Sequence, residues 1–181
     1  MTTQTDLPCT RRQRWYLFIL TKDPNWWDEP MSMAEAGQRI KEAEATKRLD
    51  KVSASNHNLV VWREAIQAGK LALEASKPTP MIVRDDPARK EWYVEGGACG
   101  FAWVSIKPAT TNFARWLLTQ PEADKEYRGD IHVSKDSYYG GLCIWVWAGG
   151  QSMQRKEAYA HAMAGVLCKY GINAGARSRM D

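Results

Sequence analysis

From Gly100 onward the hydrophobic and polar positions fall into a regular pattern. In GFAWVSI, Ala102, Val104 and Ile106 alternate with Phe101 and Trp103, the period of two that marks a strand. TTNFARWLLTQ changes to helical spacing, with Phe113, Trp116 and Leu117 on one stripe and Thr111 or Thr110 as N-cap. DIHVSKD predicts a second strand, residues 138–141 a turn, and LCIWVWA a third strand. SMQRKEAYAHAMAGVLCKY predicts a helix capped by Ser152, with Tyr159, Ala162, Met163, Val166, Leu167 and Tyr170 on its inward stripe and Gly171 as a left-handed stop. INAGARSR is a last, edge-like strand. The order β-α-β-β-α-β is that of the split βαβ, ferredoxin-like sandwich, in which the first and third strands lie together in the middle and both helices cover one face.

The first half of the chain is less regular. RWYLFILTK predicts a strand covered on both faces, with Trp15, Leu17 and Ile19 on one side and Tyr16, Phe18 and Leu20 on the other. DPNWWDEP reads as a turn-rich connection whose Trp26 and Trp27 fold back onto the core. Ser32 and Glu35 have capping-box spacing at the start of a surface helix running to about Lys51, with Glu35/Arg39 and Glu44/Arg48 four apart. NLVVWREAIQAGKLALEAS predicts a second helix with Trp62, Ile66, Gly69 and Leu73 on one face, ended by Lys77-Pro78-Thr79-Pro80. MIV and EWYVE read as a hairpin turning at Asp86-Pro87, and Gly96-Gly97 marks the internal boundary. The expected class is therefore α+β: a disordered leader over 1–10, an N-terminal β-α-α-β-hairpin extension over 11–96 and a ferredoxin-like domain over 97–181.

Composition narrows the functional classes. A hydrophobic fraction of 44% and nine tryptophans in 181 residues are ample for a core. No run approaches the ~18 apolar residues that span a bilayer, and the apolar stretch at 15–20 is too short for a secretory signal. A soluble protein of the (host) cytoplasm is expected, with no membrane partner. The four cysteines show no CxxC or CxxH pair and read as reduced thiols; with three histidines lacking ligand spacing, neither metal nor cofactor is expected. The net charge of +4 is concentrated at the ends. Arg11, Arg12, Arg14 and Lys22 oppose Asp6 alone, and Arg155, Lys156, Lys169, Arg177 and Arg179 oppose Glu157 and Asp181. Such ends attract phosphates or acidic protein surfaces.

Two features carry candidate chemistry. Alternation places Phe101, Trp103, Trp145 and Trp147 on the sheet face away from the helices, where RNA-recognition modules stack bases, although the Lys/Arg-Gly-Phe/Tyr signature of those modules is absent. The alternative is that the N-terminal extension covers this face and the rings are core. In WAGGQSMQRKE, Gly149, Gly150 and Ser152 lead a strand into a helix start, aiming backbone N–H groups outward, with Arg155 and Lys156 placed to close on an anion. The alternative there is an ordinary N-cap. The Gly-Lys-Ser/Thr ending of a nucleotide-binding P-loop is missing. No nucleophile, base and acid fall at informative spacing, so no catalytic residue is assigned.

CGFAWVSI, GGLCIWVW, QSMQRKEAYAHAMAGVL and GINAGARSRMD resemble a family of small, uncharacterised proteins of tailed-phage and prophage genomes. The likeness covers about residues 97–181 and implies no activity and no catalytic residues. A phage setting implies, by association, proteins that act by occupying a host target. The expected function is a non-enzymatic binding protein engaging nucleic acid or a host nucleoprotein complex, an anti-defence (anti-CRISPR-type) inhibitor by occlusion. Phe101, Trp103, Trp145, Trp147, Arg155, Lys156, Arg177 and Arg179 would form its binding surface. The alternatives are a protein-only interaction or assembly factor, a host defence protein being one such partner, and an enzyme or sensor for a small phosphorylated ligand at Gly149-Gly150. Oligomeric state is left open.

Overall fold

The computed structural model describes residues 7–85, 90–119 and 129–181. It divides into two compact units, Met1–Asn56 and His57–Asp181, so the expected boundary at Gly96-Gly97 falls inside the second unit. The predicted turn at Asp86-Pro87 and residues 1–6 of the expected leader lie outside the described residues. Residues 7–10 of that leader are paired: Met33 N–H donates to the Leu7 carbonyl at 2.7 Å and Cys9 N–H to that of Met31 at 3.0 Å.

The first unit corrects the reading of RWYLFILTK as a strand. Arg11–Thr21 is a helix, α1. Thr10 and Gln13 form a reciprocal capping box, and Lys22, at φ 63°, returns its N–H to the Phe18 carbonyl to end the helix. Only Leu17 is fully buried, packing with Met31 and Ala36, while Trp15 and Tyr16 stay exposed. Pro24–Trp27 is a short 3₁₀ turn. Trp26 packs on the Leu17 cluster as expected and donates from Nε1 to Thr21 Oγ1, whereas Trp27 remains exposed. Arg14 fixes this turn by donating to the carbonyls of Trp26, Trp27 and Glu29.

The two predicted helices are one. α2 runs Met33–Ala75, 43 residues without interruption. The stretch between them, VSASNH, is polar but holds no Gly or Pro, so nothing stops helix propagation. The capping box at its start is present, with Glu35 accepting from the Ser32 N–H and hydroxyl and Glu35 N–H donating back to Ser32 Oγ. Arg39 pairs with Glu29 at 2.8 Å.

In the second unit, Met81–Asp85 (β1) and Lys90–Val94 (β2) form the expected antiparallel hairpin. Gly100–Ile106 (β3), Asn112–Thr119 (α3), Ile131–Lys135 (β4), Leu142–Val146 (β5), Met153–Lys169 (α4) and Ala174–Met180 (β6) follow. Their four strands make one antiparallel sheet in the order β4-β5-β3-β6, so β3 and β5 are the inner pair. Alternation sends Ala102, Val104, Ile106, Leu142, Ile144 and Val146 into the core. There they meet Phe113, Trp116 and Leu117 of α3 and Tyr159, Met163 and Leu167 of α4. Val61, Trp62, Ala65 and Ile66, from the second half of α2, complete the same core. Gly69 is required at this crossing because a Cβ there would stand 2.5 Å from Tyr159 Cε1. The molecule is thus a mixed α+β structure, and none of its described helices is long and apolar enough to cross a membrane.

Candidate functional site

The residues that alternate away from the core build the opposite face of the sheet. Register sets Trp103 beside Trp145 on β5 and beside Arg177 on β6, and sets Phe101 beside Arg179. The Trp103 and Trp145 rings lie 5.0 Å apart at 37°, and Phe101 meets Trp145 edge-on at 6.4 Å. The Arg179 guanidinium sits 5.3 Å over the Phe101 ring and that of Arg177 5.3 Å over Tyr139. Cation–π contacts of this kind hold the guanidiniums among the rings without neutralising them. Exposure grades across the face: Trp103 is 8% exposed, Phe101 and Trp145 are half-buried, and Trp147 is 58% exposed.

Trp147 departs from the predicted strand. β5 ends at Val146, and the Trp147 and Ala148 N–H groups both donate to the Asp130 carbonyl, turning the chain. The indole then stacks on His132 at 5.5 Å and 24°, at the rim of the face.

The two cations expected at the helix start are elsewhere. Lys156 is buried, donates from Nζ to the Gly100 carbonyl at 2.9 Å and lies 5.5 Å over Phe101, closing the end of β3. Its long stem carries the ammonium past the helix start to a carbonyl that needs a donor. Arg155 is half-buried and lines a separate hollow with Tyr93, Glu95 and Gly96. Gly149 and Gly150 do adopt positive φ, at 92° and 65°. Ser152 is buried, however, and its Oγ accepts the Arg155 N–H, while Met153 N–H donates to the Ala98 carbonyl. Two of the N–H groups available to an anion are therefore used by the chain itself. Of the sequence-derived set, the fold brings together Phe101, Trp103, Trp145, Arg177 and Arg179, with the buried Lys156 against Phe101 and bound to a backbone carbonyl.

The loop between β4 and β5 adds residues that alternation could not supply. Asp136 Oδ1 accepts the N–H groups of Tyr138 and Tyr139 at 2.9 and 2.8 Å, an Asx-type turn. Lys107 Nζ donates to the Tyr139 carbonyl at 2.6 Å. Held this way, the loop walls a hollow of about 540 Å³ whose floor is Trp103, Cys143 and Trp145. Burial, and secondarily the charge of Asp136, pushes the Cys143 thiol up to about 12. The available signal was the segment SKDSYYGG, an Asp turn carrying two tyrosines directly before an inner strand.

No protein-family model, curated protein or solved structure matches this chain. The site's chemistry therefore rests on its geometry. Neighbouring indoles, guanidiniums held over aromatic rings and hydroxyl-bearing walls suit a flat, anionic ligand. Among the described residues no group of three or more His, Cys, Asp or Glu is placed to hold a metal ion.

Proposed function

We propose that this is a phage- or prophage-encoded, non-enzymatic protein that binds single-stranded nucleic acid, free or within a host nucleic-acid-handling complex, and acts by occlusion. The observation that carries the reading is the convergence of Phe101, Trp103 and Trp145 with Arg177 and Arg179 on the face of one sheet opposite its core. Ring faces accept bases of any sequence, at about 1–3 kcal/mol per stacked base. The adjacent guanidiniums supply the phosphate contacts that make such binding weaken with salt. We also read the second unit's β3-α3-β4-β5-α4-β6 order as the split βαβ, ferredoxin-like arrangement, supported by its antiparallel β4-β5-β3-β6 sheet. In that arrangement the helix-free face is the one left to a ligand.

Fluorescence anisotropy with single-stranded RNA and DNA across a salt series tests the proposal. Binding that weakens as salt rises and drops on Trp145→Ala is expected. Absence of binding to either strand at low salt would sink it.

A second reading, a protein-only interaction factor, draws on the 84% exposure of Tyr138 and the 58% exposure of Trp147, since exposed aromatics are common interface anchors. Host complexes that survive nuclease treatment and are lost on Trp147→Ala, with no affinity for isolated strands, would favour it.

A further inference from the structure

The hollow beside the β4–β5 loop has the parts of a defined seat rather than of an open platform. Trp145 gives it an aromatic floor, Tyr138 and Tyr139 an aromatic wall, Arg179 positive charge, and Asp136 one carboxylate. Its volume, about 540 Å³, lies within the range of small-ligand sites. The wall is pre-set: the Asp136 turn fixes both tyrosine backbones, Lys107 holds the Tyr139 carbonyl, and Arg177 lies over the Tyr139 ring. A ligand entering this space meets flat surfaces, a guanidinium and one oriented carboxylate.

We propose that the hollow seats one nucleotide of the bound strand, its base on Trp145 beside the tyrosine wall and its phosphate at Arg179, with Asp136 selecting bases that carry an amino group. The proposal rests on the nucleic-acid reading above and deepens it. An ionised carboxylate only accepts hydrogen bonds. Cytosine offers it the N4 amino group, whereas uracil and thymine present a carbonyl oxygen at the equivalent position. With one carboxylate oxygen committed to the two loop N–H groups, the Asp136 side chain is oriented before any ligand arrives. Asp136 lines the hollow together with Cys143 and Trp145 of its floor, where a base edge would lie.

Titrations followed by NMR at the indole N–H of Trp145 and the amides of residues 137–139 test the seat. The probes are cytidine monophosphate, uridine monophosphate, cytidine and inorganic phosphate. Cytidine monophosphate should shift these signals and bind about tenfold tighter than uridine monophosphate, the worth of one charge-assisted hydrogen bond. Asp136→Asn keeps an acceptor for the turn and should abolish that preference. Arg179→Ala should weaken cytidine monophosphate while leaving cytidine unchanged. Equal binding of the two monophosphates by the unmodified protein, or shifts matched by inorganic phosphate alone, would overturn the proposal. A strand titration run alongside separates the two readings. Strands that bind through Trp145 while cytidine monophosphate leaves the hollow silent remove the seat and keep the sheet-face reading. A seated monophosphate without strand binding does the reverse.

Discussion

Trp103 and Trp145 are cross-strand partners whose rings lie 5.0 Å apart, yet they play different parts. Trp103 is 8% exposed and belongs to the packing of the sheet, whereas Trp145 keeps a half-exposed ring face. Trp145→Ala should lower strand affinity about tenfold, from a stacking worth of about 1–3 kcal/mol, with little change in stability. Trp103→Ala should instead cost about 3–5 kcal/mol of folding free energy, as large-to-small changes at buried aromatics do. Urea unfolding beside anisotropy checks the split. Equal loss of affinity with no loss of stability in both variants would contradict it.

Arg177 and Arg179 should set the salt dependence. Each phosphate contact removed from a single strand lowers the slope of log K against log salt by about 0.7. The double alanine variant should therefore lose about 1.4 units of slope. Arg155→Ala, in its separate hollow, should leave the slope unchanged.

Two helical glycines should respond to alanine with opposite signs. At Gly165 nothing lies within 4 Å of an added Cβ, so Gly165→Ala should stabilise by about 1 kcal/mol through helix propensity. At Gly69 the Cβ would meet the fully buried Tyr159 ring at 2.5 Å. Overpacking of about 1–3 kcal/mol there should exceed the propensity gain. Thermal unfolding of both variants decides the matter, and a stabilised Gly69→Ala would refute the close crossing.

The Cys143 thiol carries a pH signature. Its folded value, about 12, lies above the ordinary 9.0 because burial disfavours the thiolate and Asp136 adds like charge. The folded state therefore favours the protonated form. That contribution is complete below pH 9.0 and is lost as pH rises toward about 12. Cys143→Ala should flatten the alkaline fall in stability across that window, measured by urea titration. At pH 8, a thiol reagent should modify exposed Cys168 in the folded protein and spare Cys143.

How far the sequence revealed this molecule depended on how local the signal was. In the second unit, alternation over GFAWVSI and LCIWV fixed which residues face the helices, because a strand has no third side. Thr111, Ser152 and Gly171 marked helix ends for equally local reasons. The error at α1 came from WYLFIL, a contiguous apolar run whose period cannot separate helix from strand; the decisive cue was Thr10 with Gln13 three residues later. The merging of two helices into α2 followed from the lack of any breaker over 52–57. Lys156 and the tyrosine wall were illegible for another reason. A lysine's stem reaches several directions, and a loop's lean over a sheet depends on contacts such as that of Lys107 with the Tyr139 carbonyl, which no spacing encodes.

β6 forms an outer border of the sheet, leaving half of its backbone groups without a ladder partner. Such a border invites a neighbouring molecule to add its own strand, and charged side chains are a common deterrent. If two copies aligned head to tail about Arg177, like charges would meet. Arg177 and Arg179 on this border would then work against fibrous association as well as serving the proposed ligand contact. Variants that neutralise them invite clumping, so a lost signal in a binding experiment must be accompanied by a check that the sample is still dispersed.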